Sequence, residues 1–204
     1  MALEFGGVSM SSRPRCEWYE TESEMWAVGR AMGQYMGSFP NGFLPRVNDK
    51  LGIPIYNETV LFPFGGITPR RSNWVSNDIK KGKPTGPNDE PLPADYGYDA
   101  RDLPDSWTNR FPIVISDPPY GKHYSEDLYG VEYPKPSAHF VEACRVVEPG
   151  GWIVVLDQLV YNLEWAHDNH PVEREQVTCI TTGPNMRARV VNVFRKPNSL
   201  EAWQ

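Results

Sequence analysis

The 204-residue chain is 40% hydrophobic and carries a net charge of −6, which is typical of one globular domain with or without a small appendage. Its acidic balance argues against strong autonomous binding to DNA or RNA, although a local basic groove stays open. We find no apolar run of the ~18 residues that a membrane span requires, and no secretory signal pattern. The three cysteines, Cys16, Cys144 and Cys179, are widely separated without metal-ligand spacing, which favours a reducing cytoplasm.

The first part of the chain, residues 1–37, is predicted to be an N-terminal extension. Residues 1–15 are rich in Gly, Ser and Met and are expected to form a loose terminus. A helix is predicted from Thr21 or Ser23 to about Met36, because apolar residues recur there at near-helical spacing.

The remainder, residues 38–204, is predicted to be one catalytic domain in which strands alternate with helices or loops. In chain order we predict a turn at 38–42, a short helix from Phe43 to Leu51, strands at 58–62 and 73–78, a loop at 80–93, a strand at 111–116, a helix capped by Ser137 that stops at Pro149–Gly151, a strand at 152–157, and a hairpin of 174–182 with 188–196. This order predicts an open α/β sheet, with a further strand between Asp78 and Asp99.

Ligands of such sheets bind beyond the carboxyl ends of the strands, at the topological switch point. The residues that stand out fall at those ends: Phe62–Gly66, Asp78, Asp99 and Asp117–Tyr120. The sharpest motif is "DPPY" (117–120), which follows the apolar run "FPIVIS" directly. Four such residues also arise in ordinary loops by chance, but their position after a buried strand favours a functional interpretation.

With these residues in view, the chain resembles the class I S-adenosylmethionine-dependent methyltransferases, and among them the DPPY enzymes that methylate amino groups of DNA bases. The resemblance covers roughly residues 38–196. It implies a Rossmann-like fold with a mostly parallel seven-stranded sheet and a C-terminal antiparallel hairpin. It also implies S-adenosylmethionine as the cofactor and a cytoplasmic location in a bacterial, archaeal or phage-infected cell.

The resemblance implies a catalytic role for Asp117, Pro118, Pro119 and Tyr120. The exocyclic amine of adenine is a poor nucleophile, and acceptors for both of its N–H groups help it to become tetrahedral. Asp117 would supply one acceptor and the carbonyl of Pro118 the other, while the prolines hold the turn. Tyr120 would stack on a base that has been flipped out or is already single-stranded, a contact of ~1–3 kcal/mol.

Cofactor-binding residues are implied at four places. They are the turn Phe62, Pro63, Phe64, Gly65 and Gly66; Asp78 for the ribose hydroxyls; Asp99 or its rival Asp102 for the adenine amine; and Asn41 with Gly42 near the methionine carboxylate. Phe62 stands where the family carries an acid, and little room follows the glycines for a crossover helix. An ordinary turn would explain the glycines equally well.

The loop after the motif carries Lys122, His123 and Tyr124, which are candidate substrate-binding residues because aromatic rings next to a cation suit a stacked base. The alternative is that these rings only cover the end of the sheet. Basic residues that could face phosphates are Arg13, Arg15, Arg70, Arg71, Lys80, Lys81 and Lys83, although a solvated face explains them too. A metal site is not predicted, since "HDNH" (167–170) is better explained as a polar loop.

No stretch is long enough for a separate target-recognition domain, so target specificity is expected to be low, supplied by a partner, or built from loops. Together with the acidic balance, this is consistent with a specificity partner or a homo-oligomer. The leading hypothesis is a compact, phage-like adenine-N6 DNA methyltransferase, with DNA a better candidate substrate than RNA. Cytosine stays open as the target base. The alternatives are an RNA amino-methyltransferase acting on guanosine N2 or adenosine N6, and a degenerate methyltransferase fold that serves as a non-catalytic subunit.

Overall fold

A seven-stranded sheet organises the chain in the computed structural model, which describes residues 26–27, 39–83, 91–166, 170–181 and 188–198. The strands are β1 (Trp26–Ala27), β2 (Val60–Phe62), β3 (Trp74–Ser76), β4 (Phe111–Ser116), β5 (Val147–Asp157), β6 (Glu173–Thr181) and β7 (Arg189–Arg195). The helices are α1 (Phe43–Asp49) and α2 (Pro136–Val146), with 3₁₀ turns at Asp105–Trp107 and Leu163–Trp165 and a π-helical turn at Tyr124–Leu128.

The strand order is β1-β6-β7-β5-β4-β2-β3, and β7 runs antiparallel to both of its neighbours while the other pairs are parallel. The chain therefore moves from β2 outward to β3 and then returns to place β4 on the other side of β2. This reversal is a topological switch point, where open α/β sheets bind their ligands. The predicted Rossmann-like fold, with a mostly parallel sheet and a C-terminal antiparallel hairpin, is confirmed.

The seventh strand is not where the sequence predicts it. Between Asp78 and Asp99, the described residues form only isolated bridges, Asn77 with Tyr96 and Lys81 with Leu92. The seventh strand is instead β1, which pairs with β6. It lies inside the helix predicted over residues 21–36, so that prediction is wrong for these two residues, and the rest of that segment lies outside the described residues.

The predicted boundaries of α2 also need correction. The helix begins at Pro136, whose fixed φ suits the first helical position, so Ser137 lies within the first turn and is not the cap. It ends at Val146, and Pro149–Gly151 lies inside β5 instead of stopping the helix. Gly150 has a φ of 77°, and the pairing of β5 with β4 changes register in this region.

Both faces of the sheet are buried, which explains the continuous apolar run of β4. Ile113 and Ile115 join one core cluster with α1, whereas Val114 joins a second cluster on the α2 side. Because successive side chains of a strand point to opposite faces, a strand covered on both sides needs apolar residues throughout.

Asn77 connects the ends of several segments. Its fully buried side chain donates from Nδ2 to the carbonyls of Pro63 and Tyr98, both at 3.0 Å, and accepts the Tyr98 N–H at 2.9 Å. Its backbone N–H donates to the Phe62 carbonyl at 2.9 Å, and its own carbonyl accepts the Gly65 N–H at 2.7 Å. The turn after β2 is thereby tied to the segment that replaces the missing strand.

We predict that Asn77→Ala lowers the free energy of unfolding by about 2–3 kcal/mol, because it leaves buried backbone groups without partners. Urea denaturation measures this change. Asn48→Ala on α1 is the control, since its side chain bonds only to the neighbouring Asp49 at the surface and is expected to change stability by less than about 0.5 kcal/mol. Equal effects of the two substitutions would show that Asn77 does not connect these segments.

Candidate active site

Three strands bring polar side chains to one edge of the sheet. β4 ends at Ser116 and β5 at Asp157, and the parallel pairing of Ser116 with Val155 places these ends side by side. The antiparallel β7 starts at the same edge, where Val190 pairs with Asp157. Asp117, Asp157 and Arg189 are therefore neighbours although they are far apart in the sequence.

Asp117 follows β4 and is half-buried. Its Oδ1 accepts a hydrogen bond from the Tyr120 hydroxyl. Burial raises the pKa of Asp117 to about 7, and the negative charge of Asp157 acts in the same direction. The positive charge of Arg189 and the Tyr120 hydrogen bond oppose this rise. Asp117 therefore exchanges its proton near neutral pH.

Tyr120 is held between Asp117 and Arg189. The guanidinium carbon of Arg189 lies 4.7 Å from the centroid of the Tyr120 ring, in cation–π geometry. Burial raises the pKa of Tyr120 well above its usual value, so the hydroxyl stays protonated and donates a hydrogen bond to Asp117. The predicted stacking of Tyr120 on a base stays a prediction, and Arg189 covers one face of this ring.

A second polar network begins at Asp157. The buried Tyr161 hydroxyl donates to Asp157 Oδ2 at 2.7 Å and lies 3.0 Å from His139 Nε2. Burial lowers the pKa of His139 to about 3, so the ring is neutral. Because the Tyr161 hydroxyl uses its hydrogen in the bond to Asp157, it acts as an acceptor toward His139, and the single ring proton of His139 is assigned to Nε2. Nδ1 has no hydrogen-bond partner among the described residues.

Sequence reasoning missed these neighbours. Asp157 follows a buried strand as Asp117 does, so the same rule would have found it. Arg189 carries no such signal, because its position depends on the pairing of β7 with β5. Nothing in the sequence around His139 indicates its partner, which the structure shows to be Tyr161.

Phe62, predicted to bind the cofactor, lies in the core instead. Its side chain is fully buried, with its ring centroid 5.7 Å from that of Phe39 and 5.1 Å from that of Trp74. The alternation of β2 sends Phe62 to the same face as Val60, where α1 packs. The side chain is therefore held in the core, and the predicted contact of Phe62 with a cofactor stays a prediction.

The glycines after β2 are explained by contacts within the chain. A Cβ on Gly65 would lie 2.0 Å from Ser76 Oγ, so glycine is required for the turn to pack against β3. Gly66 has a φ of 48°, in the left-handed region that favours glycine. Pro63 is buried, and the ring of Phe64 lies edge-on to His139 with centroids 5.2 Å apart. Their predicted contact with a cofactor stays a prediction.

Asp78 faces the same turn. Its Oδ2 accepts the Gly66 N–H at 3.1 Å, and its Oδ1 accepts the Lys80 N–H at 2.9 Å. Burial raises the pKa of Asp78, and these two backbone hydrogen bonds act against the rise. Because a carboxylate has about four acceptor positions, two stay open for the hydroxyls of a ligand.

Asp99 is paired within the chain. Arg101 donates to both of its carboxylate oxygens, with Nη2 2.7 Å from Oδ2, and this interaction lowers the pKa of Asp99. Arg101 also contacts Glu132 at 3.0 Å. The rival residue Asp102 is exposed. A ligand amine at Asp99 would have to compete with Arg101.

The turn before α1 lies next to the end of β2 through the contact of Phe39 with Phe62. Asn41 is exposed, and Gly42 has a φ of 82° at the N-terminal end of α1. The Gly42 carbonyl accepts a hydrogen bond from the Arg46 side chain at 3.3 Å. Their predicted role toward a cofactor stays a prediction.

The predicted substrate-binding residues Lys122, His123 and Tyr124 lie on the surface beside the motif. Lys122 forms an ion pair with Glu126 at 3.7 Å, and His123 Nδ1 lies 2.5 Å from Asp127 Oδ2. Both pairs have helical i,i+4 spacing. The loop thus presents exposed rings next to charged groups, with the Tyr124 ring edge-on to that of His123 at a centroid distance of 5.8 Å.

Most residues of the predicted phosphate-facing strip lie in the described part of the chain. The guanidinium carbon of Arg71 lies 4.5 Å from the Tyr56 ring centroid, Arg70 donates to the Pro93 carbonyl at 2.8 Å, and Lys81 donates to the Asp95 carbonyl. Arg13 and Arg15 lie outside the described residues. The role of the strip stays a prediction.

The described residues contain neither a cluster of metal-binding side chains nor a helix suited to a membrane. Within the ranges that the structure describes, no group of three or more His, Cys, Asp and Glu side chains could hold a metal ion. Most of "HDNH" (167–170) lies outside those ranges. Among the same residues, none of the helices has the length and apolar character needed to span a membrane.

Comparisons with known proteins return structures only. The sequence matches no family profile and no curated protein. The antibiotic-resistance methyltransferase Kmr is 11% identical, with 51% of this chain and 61% of that chain covered and a TM-score of 0.35. The aminoglycoside-resistance methyltransferase NpmB1 is 18% identical over 80% of this chain and 98% of its own, with a TM-score of 0.42.

A third structure is the Burkholderia thailandensis 1,6-didemethyltoxoflavin-N1-methyltransferase with bound S-adenosylhomocysteine. It is 11% identical over 75% of this chain and 76% of its own, with a TM-score of 0.46. These are distant likenesses of fold. The assignment of the fold rests on the order and direction of the strands.

We predict that Asp117→Asn stabilises the protein at about pH 8 by about 1 kcal/mol or more, because it removes a buried charge. The pKa of Asp117 rises from its ordinary 3.8 to about 7 on folding. The wild-type stability from this group is therefore complete below the unfolded pKa and is lost as the pH rises through the folded pKa. The stability difference between variant and wild type should grow between about pH 4 and 7.

Urea denaturation across this pH range measures the difference. Asp102→Asn is the control, because its side chain is exposed and its substitution should have no matching pH dependence. A difference for Asp117→Asn that stays constant with pH would contradict the burial of an ionised carboxylate at the end of β4.

Proposed function

We propose that the chain is an S-adenosylmethionine-dependent methyltransferase that acts on the exocyclic amine of adenine in DNA. The observation that carries this proposal is the carboxylate of Asp117, which is half-buried at the end of β4 directly before Pro118 and accepts a hydrogen bond from the Tyr120 hydroxyl. A scaffold has no need for a buried acid of this kind, because burying a charge is costly. An amine ligand that donates hydrogen bonds would offset that cost.

The cofactor fits the residues best at its ribose. Asp78 lies at the end of β3 with two acceptor positions open, next to the switch point of the sheet. Asp99 fits the cofactor's adenine amine less well because it is paired with Arg101, which leaves Asp102 as the alternative. Bound S-adenosylmethionine supplies an electrophilic methyl group.

The substrate side requires Asp117 in its ionised form. The Tyr120 hydroxyl occupies part of Oδ1, so Oδ2 is the natural acceptor for one N–H of the amine. The carbonyl of Pro118 would accept the other, because proline fixes the turn and removes a competing donor. A base within a duplex would have to leave its stack to reach this pocket.

A partner is expected to contribute to nucleic-acid binding. The net charge of −6 is unfavourable for holding a polyanion, and the described basic residues near the turn make contacts within the chain. We therefore propose that a specificity subunit or a second copy of the chain supplies part of the interface. RNA is the alternative polymer, with the same amine chemistry.

A second candidate function is that of a non-catalytic subunit with a degenerate methyltransferase fold. Two observations favour it: Phe62 lies in the core where the family carries an acid, and Asp99 is committed to Arg101. Both weaken the expected cofactor site. Binding of S-adenosylmethionine separates the two candidates.

We predict that S-adenosylmethionine at ~100 times its dissociation constant stabilises the folded state by ~2.7 kcal/mol. Asp78→Asn should weaken this binding, since it loses an anionic acceptor for the ribose hydroxyls. Asp117→Ala should bind the cofactor nearly as well as wild type. Calorimetric titration and thermal denaturation measure these effects, and the absence of any binding by wild type would favour the non-catalytic subunit.

We predict that the purified chain transfers a tritiated methyl group to DNA and that nucleoside analysis finds N6-methyladenine. Asp117→Ala should lower the rate by at least about 100-fold, because the amine loses its acceptor. The matched control is Asp49→Ala, whose exposed side chain lies at the end of α1 and outside the motif. Full activity of Asp117→Ala would overturn the mechanism. Label found only in RNA would overturn the choice of DNA as the polymer.

A further inference from the structure

Arg189 is the positive group that faces the candidate catalytic loop. It lies at the first position of β7, and its guanidinium carbon is 4.7 Å above the centre of the Tyr120 ring. The Tyr120 hydroxyl is in turn bonded to Asp117. Arg189 thus contacts the motif from a strand more than 60 residues later in the sequence.

We propose that Arg189 is a positioning residue that holds the Tyr120 ring next to Asp117 and favours the ionised form of the Asp117 carboxylate, which accepts hydrogen bonds from an amine. Its catalytic consequence rests on the proposed function, whereas its effect on Asp117 does not.

The charges around Asp117 explain why such a residue is needed. Burial and the negative charge of Asp157, from the end of β5, both favour the protonated form of Asp117. A protonated carboxyl presents a donor of its own and accepts the amine poorly. Two groups oppose this: the Tyr120 hydroxyl from the same loop and the Arg189 charge from β7. Of the two, only Arg189 is charged.

The geometry of the contact also orients Tyr120. A guanidinium held over a ring by cation–π attraction restricts the movement of that ring. The position of the ring determines where its hydroxyl meets Asp117. Lysine would preserve the charge but not the planar contact, so Arg189→Lys separates the two contributions.

The chain offers a matched control on the same strand. Arg195 is at the other end of β7, and its guanidinium carbon lies 4.2 Å from the Trp152 ring centroid. Like Arg189, it is an arginine on β7 that covers an aromatic ring, but it is remote from Asp117. Arg195→Gln therefore reports the general effect of losing such a contact.

The test is a carbon-13 NMR titration of the side-chain carboxyls in protein labelled at aspartate, which needs no substrate. The Asp117 signal is identified by its loss in Asp117→Asn. We expect Arg189→Gln to raise the measured pKa of Asp117 by about one unit or more. Arg189→Lys should raise it less, and Arg195→Gln should leave it unchanged. An unchanged pKa in Arg189→Gln, with the fold intact by circular dichroism, would overturn the proposal.

The pH dependence of methyl transfer provides the second measurement. For Arg189→Gln, the ascending limb of the pH–rate profile should move to higher pH, and the rate should recover toward that of wild type at high pH. A merely structural role would lower the rate at every pH. If wild type transfers no methyl group while the NMR shift is present, the proposed function fails and the role of Arg189 toward Asp117 stands. If transfer occurs but neither the limb nor the NMR pKa moves, the role of Arg189 fails and the proposed function stands.

Discussion

The burial of one carboxylate, that of Asp117, determines how the rest of the candidate site is arranged. Removal from water favours its protonated form, and the nearby Asp157 adds to that tendency. Arg189 and the Tyr120 hydroxyl act in the opposite direction, and the result is a pKa of about 7. The carboxylate is thus held between its two protonation states at neutral pH, where a small change in its surroundings changes its charge.

This balance depends on the topology of the sheet. The parallel pair β4 and β5 places Asp117 and Asp157 at adjacent strand ends, and the antiparallel entry of β7 brings a cation to the same edge. A parallel β7 would have carried Arg189 to the opposite edge. The C-terminal hairpin therefore has an electrostatic role as well as a structural one, and it is part of the candidate site.

Much of the fold is predictable from sequence because both faces of the sheet are covered. The apolar runs of β4 and β5 and the alternation of the hairpin identify their strands without knowledge of the partners. The segment between Asp78 and Asp99 is different, since its contacts with Asn77 replace a regular ladder and leave no periodicity to detect. The helix predicted from Thr21 or Ser23 to about Met36 is wrong at β1 for a related reason. Pairing with β6 overrides the helical spacing of the apolar residues there.

The candidate site shows the same division. Residues at strand ends, such as Asp78 and Asp117, are found from local sequence. The partners that set their chemistry are not, because they come from distant segments: Arg189 from the hairpin and Tyr161 with His139 from either side of β5. The burial of Phe62 has a similar origin, since the register of β2 directs its side chain into the core.

The most direct test of the central claim is a crystal structure of the protein with S-adenosylhomocysteine and an adenine nucleotide. The account predicts that the exocyclic nitrogen of adenine lies about 2.7–3.2 Å from a carboxylate oxygen of Asp117, with its other N–H directed at the Pro118 carbonyl. An adenine bound elsewhere, with Asp117 bonded to Tyr120 alone, would contradict it.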